Sequence, residues 1–135
     1  MTLHFELVSP EKLLLSQDVE MAILSGIEGD MGILQDHTPL ISILRPGVVT
    51  LMNNGKAQER IFVQGGFVEV TPQSCIVLAE HASKLSEIDL MEAERELADC
   101  KADFTDAKNE IEREKIGRKV AIAEAKIEAL QKSVY

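Results

Sequence analysis

His81-Ala82-Ser83-Lys84-Leu85-Ser86-Glu87-Ile88-Asp89-Leu90-Met91-Glu92-Ala93 is where this chain of 135 residues changes character. Residues 1–86 hold all four prolines and seven of the eight glycines, with 5 basic and 10 acidic residues. Residues 87–135 hold no proline and one glycine, with 9 basic and 13 acidic residues. Gly and Pro punctuate short strands, whereas Ala, Glu, Lys and Arg fill exposed helices. The chain therefore reads as a β half, 1–86, followed by an α half, 87–135.

Upstream of that boundary the pattern has period two. Thr2-Leu3-His4-Phe5-Glu6-Leu7 places Leu3, Phe5 and Leu7 on one face, as in a half-buried strand. Further strands are expected at Lys12–Leu15, Val19–Leu24, Leu40–Leu44, Val48–Met52, Glu59–Gln64, Phe67–Val70 and Ser74–Ala79. Ser9-Pro10, Arg45-Pro46-Gly47, Asn53-Asn54-Gly55 and Thr71-Pro72 separate them, and Asn54-Gly55 is a strong hairpin signal because both residues tolerate positive φ. Cys75-Ile76-Val77-Leu78-Ala79 is apolar on both faces and suits a central strand. Seven or more short strands at this spacing favour a sandwich or a flattened barrel.

Downstream the period becomes helical. Ser86-Glu87-Ile88-Asp89 resembles a capping box, with Asp89 where Glu or Gln is usual. Leu90, Ala93, Leu97 and Cys100 form the apolar stripe of a first helix. Ile116, Val120, Ala123, Ile127 and Leu130 step by 4, 3, 4 and 3, a coiled-coil-like seam. Between them, Asp103–Asn109 gathers Asp, Thr and Asn, and a turn there folds the helices into an antiparallel hairpin. Residues 87–106 carry eight acidic and two basic groups; residues 107–135 carry five acidic and seven basic. Opposite charge closes the hairpin only modestly, by at most about 1 kcal/mol per exposed pair. Gly117 weakens the second helix by about 1 kcal/mol relative to Ala. A two-helix hairpin has little core of its own, so it reads as a regulatory or partner-seeking arm.

Composition narrows the function. The chain has 14 basic and 23 acidic residues, net −9, with four Phe, one Tyr and no Trp. That balance argues against a nucleic-acid binder, which needs surplus cations for phosphates and platforms for stacking. No uncharged run approaches the roughly 18 residues of a membrane span. The N-terminus lacks the basic and apolar blocks of a signal peptide. Cys75 and Cys100 suit a reducing compartment and make no disulfide framework. His4, His37 and His81 lack metal-ligand spacing to the cysteines, and there is no phosphate-binding loop or nucleophile elbow. Asp36-His37 with Ser25 or Thr38 is the one acid–base arrangement available, and neighbours in extended chain point apart.

The segment from Gly26 to Leu40 carries the most information. Gly26, Gly29 and Gly32 imply positive-φ turns or close backbone approach, and a loop this long in a compact β domain is usually functional. Met31, Ile33 and Leu34 either tuck into the core or serve as contacts. Glu28-Gly29-Asp30-Met31-Gly32-Ile33-Leu34-Gln35-Asp36-His37-Thr38-Pro39-Leu40 resembles the E-G-x-x-G-I/L-L-P-x-H-x-P-L signature of the epsilon subunit of the F-type rotary ATP synthase. Gly65-Gly66-Phe67-Val68-Glu69-Val70 is similar to that family's second signature, G-G-x-x-E-V, and Pro46-Gly47 also falls in place. The resemblance spans the whole chain.

The resemblance implies a non-catalytic central-stalk subunit: an antiparallel β-sandwich of about ten strands, then an α-helical hairpin. Its partners would be the gamma subunit, the ring of c subunits and, through the hairpin, the alpha/beta catalytic hexamer. It would help couple proton-driven ring rotation to ATP synthesis, peripherally at the cytoplasmic face of a bacterial inner membrane. Carried over by motif position, Glu28, Gly29, Asp30 and Met31 face the ring and His37 lies toward gamma; a structural role suits Gly65 and Gly66 at least as well. The hairpin of bacterial relatives lies folded or extends to inhibit ATP hydrolysis; Lys115, Arg118, Lys119 and Lys126 could then meet an acidic segment of beta, or form a solvated face. Gln35 stands where the signature usually has Pro. Some relatives bind ATP through I/L-D-x-x-R-A; here Ile88, Asp89 and Ala93 survive, but Glu92 replaces the Arg. Weak or absent ATP binding, and no other cofactor, is expected. An adaptor with a coiled-coil arm from another assembly is the alternative.

Overall fold

The computed structural model describes residues 1–131, so the last four residues of the arm lie outside the described part. Within it, ten strands come first: β1 (Leu3–Val8), β2 (Leu13–Val19), β3 (Met21–Gly26), β4 (Gly29–Leu34), β5 (Leu40–Leu44), β6 (Gly47–Asn53), β7 (Lys56–Val63), β8 (Gly66–Val70), β9 (Ser74–Leu78) and β10 (Ala82–Lys84). A 3-10 turn at Leu85–Glu87 leads to helices α1 (Leu90–Thr105) and α2 (Glu110–Gln131). The sandwich followed by a helical hairpin is as the sequence implies.

Hydrogen bonding runs in the order β10-β7-β6-β3-β5-β8-β9-β1-β2, with β4 on the outer side of β3. A single register pair, Gly26↔Leu44, joins β3 to β5, and there the sheet folds into two layers. Every strand pair among the described residues is antiparallel except β1 with β9. Val49, Leu51, Ile61 and Val63 from one layer meet Leu3, Phe5, Leu7, Val68, Val70, Cys75 and Val77 from the other in one buried cluster. The Leu3, Phe5, Leu7 alternation is therefore the core face, as its period demands. Burial pushes the Cys75 thiol up to about 12, which leaves it inert. Asn54 and Gly55 have φ of 54° and 72° and close the β6–β7 hairpin, as expected of that dipeptide.

Two expectations change. The stretch read as a long loop after Gly26 is mostly strand: β4 pairs β3 from Met21↔Leu34 to Gly26↔Gly29, with Ile27 and Glu28 at the tip. Its glycines hide it from a β-propensity reading. Ser86 does not cap the first helix. The backbone makes the 3-10 turn there, and Asp89 is the cap, its carboxylate accepting from the Met91 amide at 3.0 Å.

The apolar stripes predicted for the helices face inward. Ala93 and Ala123 are each 1% exposed, with Leu90, Leu97, Cys100, Ile116, Val120, Ile127 and Leu130 half-buried. The turn falls at 106–109, where Asn109 Oδ1 accepts from the Glu112 amide at 2.8 Å and starts α2. Lys126 Nζ reaches Glu96 Oε2 at 3.3 Å across the hairpin. Phe104 lies beside Gly117, where a Cβ would sit 3.8 Å from its ring.

Candidate functional site: an apolar outer face and a clasped hairpin

Ile41 and Ile43 point outward from β5, 72% and 60% exposed, and Ile43 pairs in register with Phe67 of β8, 47% exposed. Ile27 at the hairpin tip is 60% exposed, and its amide donates to the Ile43 carbonyl at 3.1 Å, which brings the tip against β5. Ile76 and Leu78, half-buried, extend the same outer face onto β9. Contiguous apolar surface of this kind on a sheet's outer face marks a contact site. Further across, the face becomes polar: His4 Nδ1 lies 3.0 Å from Asp18 Oδ1, and His4 Nε2 lies 3.2 Å from Ser16 Oγ and 3.6 Å from Glu6.

The β3–β4 hairpin is held by a residue that, in the sequence, is only part of a turn. Arg45 donates through Nη1 to the Gly26 carbonyl and through Nη2 to Asp30 Oδ1. Its backbone N–H donates to the Ser25 carbonyl at 2.8 Å, and its own carbonyl accepts from Ser25 Oγ at 2.9 Å. Asp30 thus belongs to the clasp, while Glu28 and Gly29 stand exposed and Met31 is half-buried against the core. Only the acidity of Asp30 and the basicity of Arg45 hint at the pair in the sequence.

His37 sits at the far end of β5 from that tip. Its amide donates to the Leu34 carbonyl at 3.2 Å and its Nδ1 donates to the Thr38 carbonyl at 2.7 Å. Asp36 adopts φ 66° and its amide donates to the Pro72 carbonyl at 2.8 Å. With Ser25 given to Arg45, the described residues bring no acid–base set together around His37. No group of three or more His, Cys, Asp or Glu able to hold a metal ion occurs among the described residues.

On the arm, Lys115, Arg118 and Lys119 are exposed, and Arg118 Nε donates to the Glu114 carbonyl at 3.4 Å. Lys126 is set apart by its pairing with Glu96, its side chain only 17% exposed. At the degenerate nucleotide motif, Asp89 caps α1, Ala93 is buried, Ile88 is half-buried and Glu92 is exposed in the first turn. A carboxylate there suits the helix N-terminus and opposes a phosphate.

Known proteins resemble this chain along nearly its whole length. The family described as "ATP synthase, Delta/Epsilon chain, beta-sandwich domain" matches residues 2–85. The C-terminal domain of the ATP synthase epsilon chain, a second family, matches residues 89–135. A protein named ATP synthase epsilon chain from Rhodospirillum rubrum is 45% identical over 130 residues, 95% of this chain and 96% of its own length. The chain belongs to the ATP synthase epsilon family. A second epsilon chain, from Parvibaculum lavamentivorans, is 48% identical over 112 residues, 83% of this chain and 85% of its length. A chain in the cryo-EM structure of the Euglena gracilis mitochondrial ATP synthase (OSCP/F1/c-ring, rotational state 1) has the same fold, with TM-score 0.81. It is 22% identical and covers 92% of this chain and 78% of its own length. Epsilon chains are non-catalytic subunits of the complex, so the adaptor from another assembly and a catalytic Asp36-His37 pair both fall away.

Within an epsilon chain the second signature has a plain physical reading here. Gly66 has φ 139°, and a Cβ on it would collide with the Leu78 carbonyl oxygen, so the β8–β9 pairing requires glycine. Gln35, in the position where the first signature usually has Pro, has its Oε1 buried with no hydrogen-bond partner among the described residues. No helix among those residues is long and apolar enough to cross a membrane.

Proposed function

We propose that the chain is a rotor subunit of the central stalk of an F-type ATP synthase, coupling proton-driven rotation of the c-ring to ATP synthesis by binding alone. The observation that carries this is the exposed apolar face of Ile27, Ile41, Ile43 and Phe67, which a protein with no partner would not keep. That face takes gamma, with His37 at its margin. The β3–β4 tip takes the c-ring through Glu28, Gly29 and Met31, while Asp30 keeps the tip stiff through Arg45. Torque transmission needs a rigid contact, and the guanidinium clasp supplies it. The chain would sit peripherally at the cytoplasmic face of a bacterial inner membrane as part of the complex.

Ile43→Asp tests the gamma contact. A charge at the centre of the apolar face should weaken co-purification with gamma by about tenfold or more, since one desolvated charge outweighs the roughly 1.4 kcal/mol that tenfold represents. Undiminished recovery of gamma with a correctly folded variant would overturn the reading.

The arm restrains ATP hydrolysis in this reading, with Lys115, Arg118 and Lys119 meeting carboxylates of the alpha/beta hexamer. Lys126 joins them only after leaving Glu96. ATP itself binds the chain weakly or not at all, because Glu92 faces the phosphates that an Arg would hold. Isothermal titration of the isolated protein should show no micromolar affinity; such an affinity would remove this part of the proposal.

A further inference from the structure

With Leu3, Phe5 and Leu7 of β1 turned into the core, strand alternation sends His4 and Glu6 to the outer face. The antiparallel register sets His4 opposite Asp18 of β2 and Glu6 opposite Ser16. Ser16 is then the diagonal neighbour of His4, close enough for an imidazole to reach. The ring uses both neighbours: Nδ1 lies 3.0 Å from Asp18 Oδ1 and Nε2 lies 3.2 Å from Ser16 Oγ.

An ionised carboxylate only accepts hydrogen bonds, so Nδ1 carries the proton and the Nε2 lone pair is left for the Ser16 hydroxyl. Carboxylate, imidazole and hydroxyl in this connectivity are the arrangement that turns a serine into a nucleophile. Two charged groups face the ring, Asp18 and, 3.6 Å from Nε2, Glu6, which favours the imidazolium formed when the hydroxyl proton is taken. On the β9 side the register partner of His4 is Ser74, whose hydroxyl is engaged with Thr71 at 2.7 Å. Ser16 is exposed, and β2 ends the hydrogen-bonded order of the sheet. Leu13 and Leu14, 53% and 39% exposed beside the β1–β2 bulge, give an acyl chain apolar surface next to that hydroxyl.

We propose that Ser16 is an acyl-acceptor site, esterified by activated acyl donors through His4 and Asp18. Ser16 Oγ attacks the donor's carbonyl carbon and its proton passes to His4 Nε2. The bond from that carbon to the leaving oxygen breaks, and the leaving group departs with the electron pair. The imidazolium then returns its extra proton to water. On an open sheet face water competes freely, so the product is a stoichiometric ester on Ser16 and not an enzymatic turnover. Neither the apolar outer face nor the arm takes part, so the proposal stands apart from the rotor reading.

The test treats the isolated full-length protein with p-nitrophenyl acetate and reads acetylation by peptide mass spectrometry. Lys12 and Arg45 bound a stretch without lysine, so acetyl groups found inside it are not on amines. Ser16 should acetylate about tenfold or more faster than the exposed Ser83 and Ser86, a modest share of what a positioned base contributes. Its rate should rise as pH climbs through the raised pKa of His4 and then level off, because only the neutral ring accepts the proton. His4→Gln should bring Ser16 down to the rate of Ser83. Asp18 is a positioning residue: Asp18→Asn should slow the reaction and move its pH rise to lower pH, since the hydrogen bond that raises the His4 pKa is weakened. Equal acetylation of the three serines in the unaltered protein, or a rate that never levels off, would overturn the proposal even if a variant failed to fold. Undiminished labelling in a His4→Gln protein with intact strands would do the same.

Discussion

At the scale of single residues, the most instructive group is His4, an ordinary polar position in an alternating strand. Its hydrogen bond to Asp18, aided by the charges of Asp18 and Glu6, raises its pKa above 6.5 against a smaller opposing effect of burial. A raised folded-state value means that the protonated ring stabilises the β1–β2 pair fully below about pH 6.5 and stops doing so as pH climbs through the raised value. Melting temperature measured between about pH 5.5 and 8 should therefore fall slightly with pH, and His4→Gln should flatten that slope. The effect is small because the group faces solvent. That β1 is a strand is legible in its period. The pairing of His4 with Asp18 is not, because register between strands is set by the whole sheet. Arg45 is the same case: its sequence neighbours Pro46 and Gly47 announce a turn, and nothing local announces that its side chain reaches back to Gly26 and Asp30.

At the scale of elements, regular periodicity survives into the fold and glycine-rich chemistry misleads. The stripes Leu90–Ala93–Leu97–Cys100 and Ile116–Val120–Ala123–Ile127–Leu130 are the buried and half-buried positions of α1 and α2 that the period predicts. β4 escapes a pattern reading because Gly29 and Gly32 dilute its alternation, although Met31 and Ile33 do turn toward the core. The cap lies at Asp89 instead of Ser86 because Leu85 to Glu87 is spent on a 3-10 turn against β7. Gly117 is the weak point of α2 and offers a clean test. A Cβ there would meet Phe104 at an ordinary contact distance of 3.8 Å, so Gly117→Ala should stabilise the helix by about 0.5–1 kcal/mol with no clash. Thermal melting followed by far-UV circular dichroism should shift upward. A downward shift would mean that the close approach of the helices, rather than backbone entropy, governs the site.

At the scale of the whole molecule, the sandwich and the arm differ in what holds them. The sandwich closes on one contiguous core, whereas among the described residues the arm fully buries only Ala93 and Ala123. Cutting the chain after Ser86 should leave a folded sandwich that still assembles, and should raise the ATP hydrolysis rate of the assembled complex. An unchanged rate would exclude restraint by the arm under the assay conditions. The two layers themselves depend on a strand pair that ignores chain order: β1 lies parallel to β9, with His4 opposite Ser74 and Val8 opposite Leu78. During synthesis the first strand to leave the ribosome must therefore wait, paired only with β2, until almost the entire sandwich has been made. A ribosome stalled before Ser74 would release a chain whose Leu3, Phe5 and Leu7 have nowhere to go, so for this fold the pace of translation is itself a determinant of whether the first strand is incorporated or lost to aggregation.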